Sequence, residues 1–435
     1  MNNLIIFIII IAIARSNKFF KFPFKTIYSQ KLTHDNYISE LIDNKIYIEL
    51  KIGTPFQKIQ ALLKLNQIPF FITSSLFNNS IGFDSTKSSS YTQDGNKTYT
   101  SNLYDYNLAF LGEDKISIED TSKNDFIIDR INFFLAINLT ENNKNISGEI
   151  GLKIINPPYM SFINQLKRKD MIKDYIFSLK YTSENEGEFH LGDYFHNYDN
   201  NYNESEFNTM EVGLPQKYID NWELFFFKVI LGTGNVTFTN TALLSFEFGL
   251  IYGTSFYYNL IKEIFFDNYG KTCEIKKLRN NDFYYVCDRD INLNKFPDLI
   301  FIKYDFNFTL NKNDLWKQFD GKYYFLIIFS EEERTEWVLG KIFFKKYTIA
   351  FNSNSKIIGF YPNSKNKREK EQKKFNISIS WILVIILFIL LIIVVIYSIY
   401  YIKFKIRKKR VNELEDNYDY TAQKDNNNPI SINNE

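Results

Sequence analysis

Apolar residues recur at every second position through much of this chain. Ile46-Tyr47-Ile48-Glu49-Leu50-Lys51-Ile52 alternates, and Trp222-Glu223-Leu224-Phe225-Phe226-Phe227-Lys228-Val229 is an aromatic and β-branched run of the same kind. Asn, Asp, Gly and Ser turns punctuate such runs. A period of two puts successive side chains on opposite faces of a strand, so these segments predict β-structure. Helical patches are few; the clearest runs from Ser161 to Lys173, and another from Phe256 to Asn268. The fold class that follows is mainly β with minor helices.

Two apolar runs do not alternate. Leu4 to Ile11 is short and precedes Ala12-Ile13-Ala14, a small-x-small cleavage site, so residues 1–14 read as a secretory signal peptide, with an uncleaved anchor as the alternative. From Phe375 to Ile402 no residue is charged, and about 20 apolar residues suffice to cross a bilayer core. Trp381, Tyr397, Tyr400 and Tyr401 sit where interfacial aromatics belong. Residues 377–402 therefore read as one C-terminal transmembrane helix, 363–376 as a polar stalk, and 403–435 as a cytoplasmic tail, basic and then disordered. Basic residues flank both ends of the span, so orientation rests on the signal peptide. It implies a type I membrane protein of the secretory pathway or cell surface, its globular part lumenal or extracellular.

Composition narrows the function classes. The 435 residues carry 52 Lys+Arg against 50 Asp+Glu; without a concentrated basic surface, no nucleic-acid role is expected. The two cysteines, Cys273 and Cys287, lie in the exported part and are expected to form a disulfide closing a short loop. His34, His190 and His196 fit no zinc pattern, so no metal or other cofactor is expected. Candidate N-glycosylation sites begin at Asn78, Asn96, Asn138, Asn145, Asn203, Asn235, Asn307 and Asn376, all ahead of the apolar span.

Ordered motifs say more. Ile52-Gly53-Thr54-Pro55-Phe56-Gln57 is followed by Phe83-Asp84-Ser85-Thr86-Lys87-Ser88-Ser89-Ser90-Tyr91 and Gly148-Glu149-Ile150-Gly151-Leu152. Ile176-Phe177-Ser178-Leu179 then precedes Gly187-Glu188-Phe189-His190-Leu191-Gly192. Later come Trp222, Cys287 with Phe296-Pro297-Asp298-Leu299-Ile300-Phe301, and Trp337-Val338-Leu339-Gly340-Lys341-Ile342-Phe343-Phe344 leading to Ile358-Gly359-Phe360. In this order the segments resemble those of the pepsin-like aspartic peptidases, over residues 45 to 362. The resemblance implies a bilobal double β-barrel, with an N-terminal lobe at 40–213 and a C-terminal lobe at 214–362. Lys21-Phe22-Pro23-Phe24-Lys25 resembles the start of that family's propeptide, making 15–39 a short propeptide-like segment.

The family's chemistry rests on two aspartates about 3 Å apart sharing one proton, each opening a D-T/S-G turn. Carried across, the first turn falls on Lys64-Leu65-Asn66-Gln67 and the second on Ser245-Phe246-Glu247-Phe248. No D-T-G or D-S-G occurs anywhere in the chain. The expectation is a membrane-anchored family member that is proteolytically inactive, with Lys64 and Ser245 at the catalytic positions and a binding or structural role. Its partners would be the membrane, through the C-terminal helix, and a peptide, protein or glycan in the cleft. The alternative is an active aspartic-type endopeptidase with a non-standard site. Lys64 is expected to pair with Glu247 or another acid. A Ser245–Lys64 acyl-transfer pair is the sharper option, and it needs a neutral lysine beside the hydroxyl. Phe70, Phe71, Phe246 and Phe248 are expected in the core or lining the old cleft.

Overall fold

The computed structural model describes residues 19–27, 31–67, 69–76, 82–100, 106–139, 146–154, 161–213, 221–232, 234–236, 240–269, 272–278, 281–304, 306–361, 401–403 and 405. Residues up to Asn363 belong to one compact unit and those from Ser364 onward to a second. In the second unit the described residues are helical. Among the described residues no helix is long and apolar enough to cross a membrane. The expected signal peptide, stalk and most of the span and tail lie outside them, as do Asn78, Asn145 and Asn376.

The strand Ile46–Ile52 forms where the alternation puts it, with its four isoleucine and leucine side chains buried. It pairs antiparallel with Gln57–Lys64, which runs parallel to Gly148–Gly151. That strand is antiparallel to Phe70–Thr73, which lies parallel to Asp125–Leu139. Asp125–Leu139 pairs with Tyr106–Glu119, and Tyr106–Glu119 returns to Ile46–Ile52. Six strands thus close a barrel, leaving no free edge among them.

The second half repeats the crossing. Asn240–Leu244 lies parallel to Trp337–Leu339, that strand antiparallel to Ile251–Tyr252, and Ile251–Tyr252 parallel to Ile327–Ser330. The order matches Gln57–Lys64, Gly148–Gly151, Phe70–Thr73 and Asp125–Leu139. Here the sheet continues to Asp282–Cys287, Lys322–Phe325 and Trp316–Phe319 and does not close among the described residues. Only the first of the two expected barrels is therefore a closed ring.

Strands shared by the two halves tie them together. Ile176–Tyr181 and Glu186–Leu191 pair with each other, and Ile176–Tyr181 also pairs with Thr348–Asn352 from the end of the chain. Phe20–Thr26, within the segment expected to be propeptide-like, adds to Glu186–Leu191 with Lys21 opposite His190. Behind them Phe177 stacks on Phe351 at 5.0 Å, and Trp222 meets Phe351 edge-on at 4.9 Å.

Two local departures have clear causes. The run Trp222 to Val229 is not one strand but two, Glu223–Phe226 and Lys228–Leu231, on different sheets. The chain changes sheet at Phe227, whose N–H donates to Ile302 O. The first helix stops at Arg168, short of Lys173. Asp170 takes a left-handed φ of 56°, and the N–H groups of Asp170 and Met171 donate to the carbonyls of Lys167 and Leu166. That is the Schellman arrangement, which satisfies the last carbonyls and ends the helix. The second helix, Ser255–Ile264, starts on the Thr254 hydroxyl, which accepts from Tyr257 N–H. Cys273 and Cys287 form the expected disulfide across the hairpin Cys273–Lys277/Asp282–Cys287. Asn138, Asn203 and Asn307 are exposed, while Asn96 and Asn235 lie in the strands Thr92–Thr100 and Gly234–Val236.

Candidate functional site

The site grows from the tips of the two crossings. Around the first tip, Leu63 and Leu65 are buried in the core while Lys64 and Asn66 face the other way. The tip is pinned from behind: Leu152 N–H donates to Lys64 O at 2.8 Å, and Lys153 N–H to Gln67 O at 2.9 Å. At the second tip Leu244 and Phe246 are buried, and Ser245 and Glu247 face the cavity. Ser245 N–H donates to Leu339 O at 3.2 Å, and Gly340 N–H to Leu250 O at 3.1 Å. A side chain at Gly340 would meet Phe248 O at 2.0 Å and Leu250 O at 2.4 Å, so this crossing requires glycine. Lys64 and Ser245 therefore occupy equivalent places in two copies of one motif.

Their hydrogen bonds differ from a shared-proton pair. The Ser245 hydroxyl donates to Glu247 Oε2 at 2.8 Å, and Leu65 N–H donates to Glu247 Oε1 at 2.9 Å. One carboxyl thus joins both tips. Asn66 adds a second tie, donating from Nδ2 to Leu244 O at 3.0 Å and accepting from Trp222 N–H. The Lys64 ammonium lies 3.3 Å from Glu149 Oε2, in a side chain only 1% exposed. Lys64 thus has an acid for its ion-pair partner as expected, and that acid is Glu149. Burial pushes the Glu247 carboxyl above the ordinary carboxylate range, against hydrogen bonds from nearby donors and the pull of Lys64.

A segment of the chain's own N-terminal part crosses the second tip. After Asn36 the short helix Tyr37–Ile42 buries Tyr37 and Ile38 against Leu250, Tyr284, Val286, Tyr324 and Ile328. Tyr37 stacks on Phe319 at 4.3 Å, and the Tyr324 hydroxyl hydrogen-bonds His34 Nδ1. Burying two such side chains contributes about 2 kcal/mol each. Beyond the helix, Gly249 N–H donates to Ile42 O at 2.8 Å and Asn44 N–H to Glu247 O at 2.9 Å. Asn44 Nδ2 donates to Phe246 O at 2.7 Å. A side chain at Gly249 would lie 1.7 Å from Leu41 O, so the strap and the tip are fitted to each other.

What remains between strap and tips is a cavity of about 390 Å³, whose lining includes Asp43, Lys45, Lys64, Gln67, Ser245 and Glu247. Of the four phenylalanines, Phe70, Phe71 and Phe246 are core and Phe248 is half-buried; none lines this cavity. Among the described residues no group of His, Cys, Asp or Glu is arranged to hold a metal. The arrangement can accept and donate hydrogen bonds to a small polar ligand, and Glu247 is its one tip carboxyl. Sequence reasoning missed the strap, although Tyr37, Ile38, Leu41 and Ile42 behind Asn36 form an amphipathic signature. It also missed the pairing role of Glu149, whose isolated charge between Gly148 and Ile150 was the available signal.

A comparison with protein families matches residues 45–363 to the family described as eukaryotic aspartyl protease. A search of curated proteins finds no match.

Proposed function

Since the chain belongs to the eukaryotic aspartyl protease family, we propose that it is a member that binds without cleaving, Lys64 and Ser245 standing where the catalytic aspartates would be. The observation that carries this reading is the hydrogen bonding of the two tips. Cleavage by the family's route needs one carboxylate to activate water and a second to polarise the scissile carbonyl. The tips instead offer an ammonium held by Glu149 and a hydroxyl held by Glu247. The strap further narrows the groove, so the ligand is a short polar segment of a peptide, protein or glycan. The apolar run at 377–402 and the signal-like 1–14 support a type I membrane protein with this domain outside the cytosol. The exposed Asn138, Asn203 and Asn307 fit that side.

The test is a peptidase assay of the purified full-length protein from acid to neutral pH, with and without pepstatin. No pepstatin-sensitive cleavage is expected at any pH, and such cleavage overturns the reading. A second reading, endopeptidase activity through a non-standard site, is favoured by one observation: Glu247 lines the cavity with its carboxyl pushed up, a combination common at functional sites. Activity that disappears in Glu247→Gln would establish it. The Ser245–Lys64 acyl-transfer option has less behind it, because the hydroxyl donates to Glu247. Labelling of Ser245 by a fluorophosphonate probe would restore it.

A further inference from the structure

A second cavity, of about 410 Å³, opens on the C-terminal half and shares no lining residue with the first. It lies among the turn Leu293–Lys295, the helix Lys312–Leu315 and the strands Trp316–Phe319 and Lys322–Phe325. Its polar lining is three carboxamides, Asn292, Asn294 and Asn313, with the Lys312 ammonium and the Tyr323 phenol; the half-buried Tyr323 ring is its aromatic surface, Trp316 being only 5% exposed. No carboxylate lines it.

The lining chemistry selects among ligand classes. A single ammonium, already donating to Asn294 Oδ1, is too little for a phosphate or polyanion. Three carboxamides make a poor surface for a purely apolar molecule, since each must stay hydrogen-bonded when covered. Each carboxamide presents a donor and an acceptor side by side, which suits adjacent hydroxyls on a ring. The electron-rich face of an aromatic ring attracts positively polarised edges, and the axial C–H face of a sugar is one. The volume is within the usual range for small-molecule sites.

Asn292, Asn294 and the backbone of Asn313 are also held in place before any ligand arrives. Asn292 Oδ1 accepts from Asn294 N–H at 3.1 Å, and Asn294 Oδ1 accepts from Lys312. Asn313 N–H donates to Asn311 Oδ1 at 2.9 Å, within a capping box closed by Asp314. Such pre-organisation lowers the entropy cost of binding.

We propose that this cavity binds a neutral hexopyranose unit of a glycan. The proposal is independent of the fate of the cleft. To test it, full-length protein, stripped enzymatically of its own glycans and held in a detergent without a sugar headgroup, is applied to a glycan array. Retention of glycans ending in neutral hexoses is expected, competed by the free monosaccharide. Asn313 is exposed and joins the capping box through its backbone N–H, so Asn313→Trp is expected to plug the cavity and abolish retention. Asn313→Ala should weaken it by about ten-fold, the worth of one well-placed hydrogen bond to a ligand. Both variants should keep the unfolding temperature of the parent. Absence of retention, retention of acidic glycans alone, or equal retention by the Asn313→Trp variant each overturns the proposal.

Discussion

Glu149 is buried almost completely, and its carboxylate depends on the Lys64 ammonium 3.3 Å away. Removing one partner from a buried pair costs about 3–5 kcal/mol, whereas replacing both can be close to neutral. Lys64→Met is therefore expected to lower stability by about 3 kcal/mol, and adding Glu149→Gln to restore most of that loss. Urea unfolding of the two single variants and the double variant measures the coupling; additive losses would show that the pair is not a unit. Glu247 follows pH in its own way. Its carboxyl is pushed up by burial, so the folded state favours the protonated form. The stability this brings is complete below the ordinary glutamate value of about 4.3 and declines as pH rises through the folded value. Glu247→Gln should gain stability relative to the parent as pH is raised from 4 to 7, by at most about 1.4 kcal/mol per pH unit. Paired unfolding curves at those pH values decide it, and a flat difference counts against the assignment. Lys64 and Ser245 were legible because motif spacing carries them to the tips. That Glu247 would accept from both tips was not, because spacing does not say which way a carboxyl turns.

At the scale of elements, the strap Tyr37–Ile42 and the turn at Phe246–Gly249 depend on each other. Gly249 leaves the gap that Leu41 O fills, and a methyl there would come within 1.7 Å of it. Relief by a flexible side chain is impossible because the obstacle is backbone, so the strap must move. Gly249→Ala is expected to cost about 1–3 kcal/mol, as overpacking does, and to release the strap. Hydrogen exchange at residues 37–44 should then speed up markedly while that of the barrel strand Gln57–Lys64 stays slow. Unchanged exchange in the strap would mean that the turn yields instead. Alternating strands were readable at this scale because burial on one face imposes a period of two; Ile46–Ile52 agrees to the residue. The helix after Ser161 was read too long because apolar spacing continues past Asp170, where a left-handed residue ends it. The run from Trp222 was read as one strand because nothing in its composition marks the change of sheet at Phe227.

At the scale of the molecule, the repeated crossing gives the two halves a common design, and their junction carries charge. Glu184, in the turn after Ile176–Tyr181, lies 2.6 Å from Lys345, 3.8 Å from Lys341 and 3.9 Å from Lys317, all three from the second half. The turn motif alone could not predict this, since the partners are more than 130 residues apart along the chain. Lys345 and Lys317 are solvated, and half-exposed pairs of this kind contribute little. Lys341 differs. It follows Gly340 directly in the second crossing, is almost fully buried, and has its pKa brought down to about 8 by that burial, against the pull of Glu184. A lysine whose folded value is depressed favours its neutral form, so the folded state binds fewer protons than the unfolded chain between about 8 and the ordinary 10.4. The stability of the parent should therefore rise across that interval, as the burial penalty on the ammonium is relieved. Lys341→Met keeps the buried stem and removes the titration, so it should lack the rise, be the more stable form at pH 7, and lose that advantage by pH 10. Thermal unfolding of both proteins at pH 7, 8, 9 and 10 measures the difference; parallel curves would mean that Lys341 keeps its ordinary value in the folded chain.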